Sequence, residues 1–250
     1  MGENYLANMN IKFTIEYKGS NYSGWQIQKN QSTIQGELKK AFQILFPNQI
    51  INIIGSGRTD SGVHATGQVA SLFLSGKIEL DKIFKSINGI IPNDIHIKKY
   101  KEVDSKFNAR HSAKYRTYKY YIRDQFSPFH HGTAWYINNI IDYSLLEECA
   151  YLLKGNHDFS SLSKNNPDII NKKCFIYESF WQKCNNELIY TIKANRFLHH
   201  MVRFIVGTSI EVARSKLMIN DFLKMINNSS SKFPMCAPPK GLFLSEVLYD

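Results

Sequence analysis

Between Ile54 and Ala70 the chain reads IGSGRTDSGVHATGQVA. One carboxylate, Asp60, stands there two residues after Arg58 and four before His64, in a frame of four glycines. Glycine lets a backbone turn sharply or approach a ligand closely. A carboxylate beside a cation stays ionised. On a loop near a basic surface it can act as a nucleophile or a general base. The plainer reading of Asp60 is an Asx turn that satisfies its own loop.

The stretch fails as a phosphate cradle. In a G-x-G-x-x-G turn the third glycine would fall at position 60, where Asp60 stands, and an aspartate facing a pyrophosphate repels it. The segment immediately after it, VHATGQVASLFL, reads as a strand rather than an apolar helix. A Walker-type loop fails for want of Gly-Lys-Ser/Thr.

Two further constellations carry chemistry. In KYRTYKYYIRD (114–124), alternation puts Arg116, Tyr118, Tyr120 and Ile122 on one face and Tyr115, Thr117, Lys119 and Tyr121 on the other. Cross-strand aromatic packing accounts for most such tyrosines. A base-stacking platform flanked by phosphate-binding cations is the functional reading. In ANRFLHHMVRFIVGT (194–208), a helix from Asn195 would place Arg196, His200 and Arg203 on one basic stripe opposite Leu198, Val202 and Ile205. The plainer reading of that stripe is a solvated face. His130–His131 and His199–His200 are adjacent pairs whose side chains point apart on a regular element, so no metal site is predicted.

The elements that must position these residues are legible from periodicity. IKFTIEY (11–17), DIHIKKY (94–100) and ELIYTIKA (187–194) alternate as half-buried strands do. QIINII (49–54), QVASLFL (68–74) and GLFLSEVLYD are also strand-like. Helices are predicted from residue 34, capped by Ser32 with Gln35, over 80–88, and over 144–155, capped by Ser144 with Glu147 and closed by Gly155. Alternating strands argue for an α+β fold, a mostly antiparallel mixed sheet flanked by helices. A boundary falls near EVDSK (102–106), dividing the chain into 1–105 and 106–250.

The bulk properties agree with a nucleic-acid partner. The 250 residues carry 31 Lys and Arg against 21 Asp and Glu, a net charge of +10. Such a balance favours a polyanion, nucleic acid first and membrane surface second; the plainer reading is a soluble protein that is simply basic. The four cysteines, Cys149, Cys174, Cys184 and Cys236, form no C-x-x-C pair, which fits reduced cytoplasmic thiols. No apolar signal core or membrane-length apolar run is present, and the leader up to about Asn10 reads as a mobile tail.

Together these residues resemble the TruA family of tRNA pseudouridine synthases. The landmarks are Y22-S-G-W-Q26, G57-R-T-D-S-G-V-H64 with G67-Q-V69, F107-N-A-R110 with R116-T-Y118, H157-D-F159, F197-L-H-H-M-V-R203 and G241-L-F-L244. The resemblance implies a cofactor-free isomerase that converts uridine to pseudouridine in the anticodon stem–loop of tRNA, at positions 38, 39 and 40. It implies a homodimer whose subunits have two α/β halves around a central basic cleft. Matched by position, Asp60 is the catalytic aspartate, Tyr118 packs on the target base, and Arg203 pairs with the aspartate. Arg58 becomes a wedge or phosphate contact, and Leu244 a pocket wall. One departure comes after H157-D-F159. Members commonly carry N-T-x-R-x-I, whereas this chain has N171-K-K-C-F-I176, so Cys174 stands where arginine is usual and Lys172 or Lys173 supplies the charge. The competing expectation is a non-catalytic tRNA-binding protein or chaperone.

Overall fold

The computed structural model describes residues 8–138, 141–230 and 232–249. The fold is α+β, and the chain forms two compact units. One holds the described residues up to Lys114 and those from Glu246 on; the other is Tyr115–Ser245.

The first unit is built on β1 (Asn8–Tyr17), β2 (Ile54–Gly55), β3 (His64–Ser75) and β4 (Ile95–Val103), with helices α1 (Ile34–Leu45) and α2 (Leu80–Ile90). Strand β1 is central, antiparallel to β3 on one side and β4 on the other. Its apolar face is the one its alternation predicts, with Ile11, Phe13, Ile15 and Tyr17 all at most 4% exposed. Phe13 meets Phe42 of α1 and Phe84 of α2 at centroid distances of 5.8 and 5.6 Å, so one aromatic cluster joins both helices to the sheet.

The second unit has β5 (Tyr115–Arg123), β6 (Trp135–Tyr136), β7 (Gly155–Asp158), β8 (Lys173–Cys184), β9 (Glu187–Ala194) and β10 (Leu242–Leu248), the last continuing into the first unit. Its helices are α3 (Tyr143–Leu152), α4 (Met201–Ala213) and α5 (Ile219–Ile226). The long pairings β5–β9, β9–β8 and β8–β7 are antiparallel, and the short β6 runs parallel to β5. Helix α4 is buried along most of its length, from Met201 to Ala213.

Several sequence expectations need correction. Residues 49–53 form no strand; only Ile54 and Gly55 pair, with Ser71 and Ala70. Ile51 and Ile53 are buried, but the Ile53 carbonyl is taken by Gln35 Nε2 of α1 at 2.8 Å instead of a ladder partner. The α1 cap is Thr33, whose side chain accepts from Gly36 N, and the α3 cap is Asp142, whose Oδ1 accepts from Ser144 N and Leu145 N. Helix α3 ends at Leu152, and Gly155 instead opens β7 with φ +100°. Of the leader, residues 1–7 lie outside the described residues, while Asn8–Asn10 already belong to β1.

Candidate active site

Asp60 lies in the loop between β2 and β3, the strand–loop–strand setting its sequence implies. The loop has no regular structure, so its backbone must be held by contacts from outside. The residues of the Y-S-G-W motif supply them. Trp25 N donates to Thr59 O at 3.1 Å. Gly62 N and Ser61 Oγ both donate to Tyr22 O, at 3.3 and 3.2 Å. Val63 N donates back to Asp60 O at 3.1 Å, closing a turn around the aspartate.

Gly24 has a second reason to be glycine. Its φ is +90°, and a Cβ there would lie 2.5 Å from Thr59 O. Trp25 in turn fills the space beneath Gly55, where a Cβ would meet the indole at 2.5–2.6 Å. Around Gly57 a Cβ would meet nothing within 4 Å.

Side chains finish the frame. Thr59, 6% exposed, shares a 2.8 Å hydrogen bond with the Tyr17 hydroxyl. Burial raises the Tyr17 phenol far above its ordinary pKa, so it stays neutral. Gln68 is fully buried; its Oε1 accepts from Ser56 Oγ at 2.7 Å and its Nε2 donates to Gly57 O at 3.0 Å. His64 is fully buried, and its Nδ1 accepts from Gly19 N at 3.1 Å, which leaves Nε2 to carry the proton. Against this rigid background Asp60 is half-buried and Arg58 exposed.

The second unit carries Tyr118, Arg203 and Leu244. Tyr118, on β5 opposite Ile192, is 8% exposed and meets Phe197 edge-on at 4.9 Å. The alternation of β5 holds: Tyr120 and Ile122, on the same face, are buried. Leu244 on β10 is fully buried. Arg203 lies in the first turn of α4; its Nε donates to Ala237 O at 2.8 Å, and its own carbonyl accepts from Ala237 N at 3.0 Å.

The predicted basic stripe does not form. Helix α4 begins at Met201, and His200 before it takes φ +61°. The side chain of Asn195 competes for the helix start, accepting from Arg196 N at 2.8 Å and Phe175 N at 2.9 Å. Arg196 and His200 therefore precede the helix that carries Arg203. Because His199 and His200 occupy a turn, their rings come to 4.2 Å instead of pointing apart.

Cys174 is buried opposite His157, and burial pushes its thiol up to about 11. Arg196 is the cation that acts on that thiol. Lys172 bonds Asn165 Oδ1 at 2.9 Å and acts on Asp158. Asp158 is held below the usual carboxylate range chiefly by its bond from Ser160 Oγ. A cavity in the second unit, about 140 Å³ and lined by Ile122, Asp124, Tyr143 and Leu188 among others, includes none of Tyr118, Arg203 or Leu244.

The sequence pattern marks the Y-S-G-W and G-Q-V stretches but assigns them no role. In the structure Tyr22, Gly24, Trp25 and Gln68 hold the Asp60 loop. Gly24 and Trp25 carry a signal of it, the small-next-to-large pattern typical of close backbone approach.

A half-buried carboxylate on a loop braced by main-chain contacts, in a basic chain with a strand of tyrosines, suits a protein that acts on a polyanion. Comparison with known proteins narrows this. A family profile described as tRNA pseudouridine synthase matches residues 14–112 and 149–250. A protein named tRNA pseudouridine synthase A from Dictyoglomus thermophilum is 40% identical, over 96% of this chain and 100% of its own length. Proteins of the same name from Bacteroides fragilis (40% identical, 94% of each chain) and Pelodictyon phaeoclathratiforme (36%, 96% of this chain and 99% of its own) are similar throughout. The chain belongs to the tRNA pseudouridine synthase family, and it is an isomerase.

Proposed function

We propose that this chain isomerises uridine to pseudouridine in the anticodon stem–loop of tRNA, at positions 38, 39 and 40, with Asp60 as the catalytic group. The observation that carries the reading is the Asp60 loop itself: a half-buried carboxylate whose backbone is immobilised by contacts on both sides of it. The reaction breaks the N1–C1′ bond, turns the ring and forms C5–C1′. It transfers no electrons and no group from outside, so no cofactor is required. Asp60 acts in one of three ways: attack at C1′, attack at C6, or removal of the C2′ proton. Each needs the carboxylate deprotonated.

Tyr118, steadied by Phe197, serves as the platform for the extruded base. Arg203, clasped by Ala237, is the cation that pairs with Asp60 in this reading. Arg58, exposed beside Asp60, contacts phosphate or fills the place of the base, and Leu244 walls the pocket. The net charge of +10 suits a tRNA partner. A homodimer acting in the cytoplasm completes the proposal. No described helix is long and apolar enough to cross a membrane.

The test is pseudouridine mapping of tRNA transcripts treated with wild type or Asp60→Asn. The wild type modifies the anticodon stem–loop; the variant loses at least ~1,000-fold in rate, as loss of a general base or nucleophile allows, while binding tRNA within a few-fold. An equally active variant removes Asp60 from the mechanism. Wild-type binding without modification establishes the tRNA-binding protein instead.

A further inference from the structure

We infer that Asp94 and Tyr22 form a latch that positions the Asp60 loop, although neither belongs to it. The inference rests on the assignment of Asp60 as the reacting carboxylate. The loop hangs on Tyr22, whose carbonyl receives both Ser61 Oγ and Gly62 N, the two residues immediately after Asp60. Tyr22 itself sits in irregular chain, just past a single 3-10 turn at Gly19–Asn21. On its far side the segment is tied to α1 and the residues leading into it, by Ser23 N to Ser32 O, Ile34 N to Gly24 O and Gln35 N to Trp25 O. On its near side Gly19 N is held by His64 Nδ1, and the other ties converge on one residue. Asp94 Oδ1 accepts from the Tyr22 hydroxyl, Asp94 Oδ2 from Asn21 Nδ2 at 3.2 Å, and the Asp94 carbonyl from Lys18 N at 2.9 Å.

The chemistry suits a static latch. Burial, with the Asp94 carboxylate next in effect, holds the Tyr22 phenol far above its ordinary range, so it remains a donor throughout the working pH range. A hydrogen bond with a charged acceptor is among the stronger kinds. Tyr22 is 6% exposed and turned toward Asp94, so its ring and hydroxyl serve the latch while its carbonyl serves the loop. Asp94 and Tyr22 are thus positioning residues: they act on the reaction only through where they hold Asp60. Misplacing a reacting group by a fraction of its contact distance lowers the rate without lowering affinity for the rest of the substrate.

The experiment compares Tyr22→Phe, Asp94→Ala, Asp94→Asn and the double variant Tyr22→Phe with Asp94→Ala, in the full chain, by steady-state pseudouridine formation on a tRNA transcript. Tyr22→Phe and Asp94→Ala each lower kcat by ~10-fold, well within what misplacement of a reacting group can cost, with KM and tRNA Kd within twofold. Asp94→Asn, which keeps an acceptor for the tyrosine hydroxyl, retains most of the rate. The double variant is no slower than the slower single one, because both break one latch. Wild-type kcat in Tyr22→Phe, or a loss carried by KM, overturns the inference. Should Asp94→Ala fail to fold, Tyr22→Phe and Asp94→Asn decide alone. A wild-type chain without activity, or an active Asp60→Asn, overturns the functional assignment, leaving the latch a separate question.

Discussion

Asp60 and Arg203 are held by opposite means. Asp60 rides on a loop with no ladder or helix of its own, and its place is set by bonds to main-chain atoms from residues 22–25, by Tyr17 and Gln68, and by glycines that let segments touch. Arg203 rides on a regular helix, where the backbone is self-sufficient, and a side-chain bond to Ala237 O holds its guanidinium. The difference teaches where each site is fragile. A loop held through close backbone approach is broken by adding atoms far from the reacting group. A helix-borne side chain is broken only by changing that side chain or its clasp.

The comparison can be broken most sharply at Gly24. Gly24→Ala forces a Cβ onto Thr59 O at φ +90° and should lower kcat ~100-fold through the displaced loop, with a stability loss of about 2 kcal/mol from the strained backbone. Gly89→Ala, in α2 with open space around it, should keep full activity and raise Tm slightly. Equal behaviour of the two variants in activity and in scanning fluorimetry would collapse the contrast.

A smaller effect is expected at the helix-borne cation. Arg203→Lys keeps the charge but loses the Nε bond to Ala237 O, and an ammonium does not reproduce a guanidinium fork. Single-turnover rates should fall ~10-fold while Tm stays near that of the wild type. A large drop in Tm would mean that the clasp supports the second unit as a whole.

The smallest effect sharpens the picture of the second unit's interior. Burial pushes the Cys149 and Cys174 thiols up to about 12 and about 11. Below the ordinary thiol value of 9.0 both states keep their protons and nothing changes. As pH rises from there toward 11, the unfolded chain ionises and the folded chain does not, so stability falls with rising pH. Buried Tyr17 and Tyr190, also shifted upward, act in the same sense. Tm should therefore decline across that window, and only the exposed Cys184 and half-buried Cys236 should alkylate in the folded protein at neutral pH. Rapid labelling of Cys174 would show that β7 and β8 open locally.

The fold was legible where one periodicity governs a whole element. The alternation of β1, β5 and β9 and the stripes of α1 and α2 all appear where the sequence places them. It misled where a side chain captures a backbone group that a regular element would use. Gln35 does this at Ile53, and Asn195 does it ahead of α4, so the apolar pattern continues while the strand or helix does not. Asp60 stood out because charge, hydroxyl and glycine crowd one loop. Asp94 did not, because its partners lie some seventy residues back in the chain and no local pattern encodes that pairing.

The closing residues have a consequence for how the protein comes into being. Residues 246–249 belong with the first unit: Lys114 N donates to Leu248 O at 2.9 Å, the Tyr249 hydroxyl donates to Ala109 O at 2.8 Å, and Lys12 Nζ lies 4.1 Å above the Tyr249 ring. During synthesis, domains that are contiguous in sequence fold as they emerge. This unit cannot be completed in that order. It waits for residues made after the whole second unit, so the Asp60 half of the molecule is finished only once Tyr115–Ser245 has been synthesised.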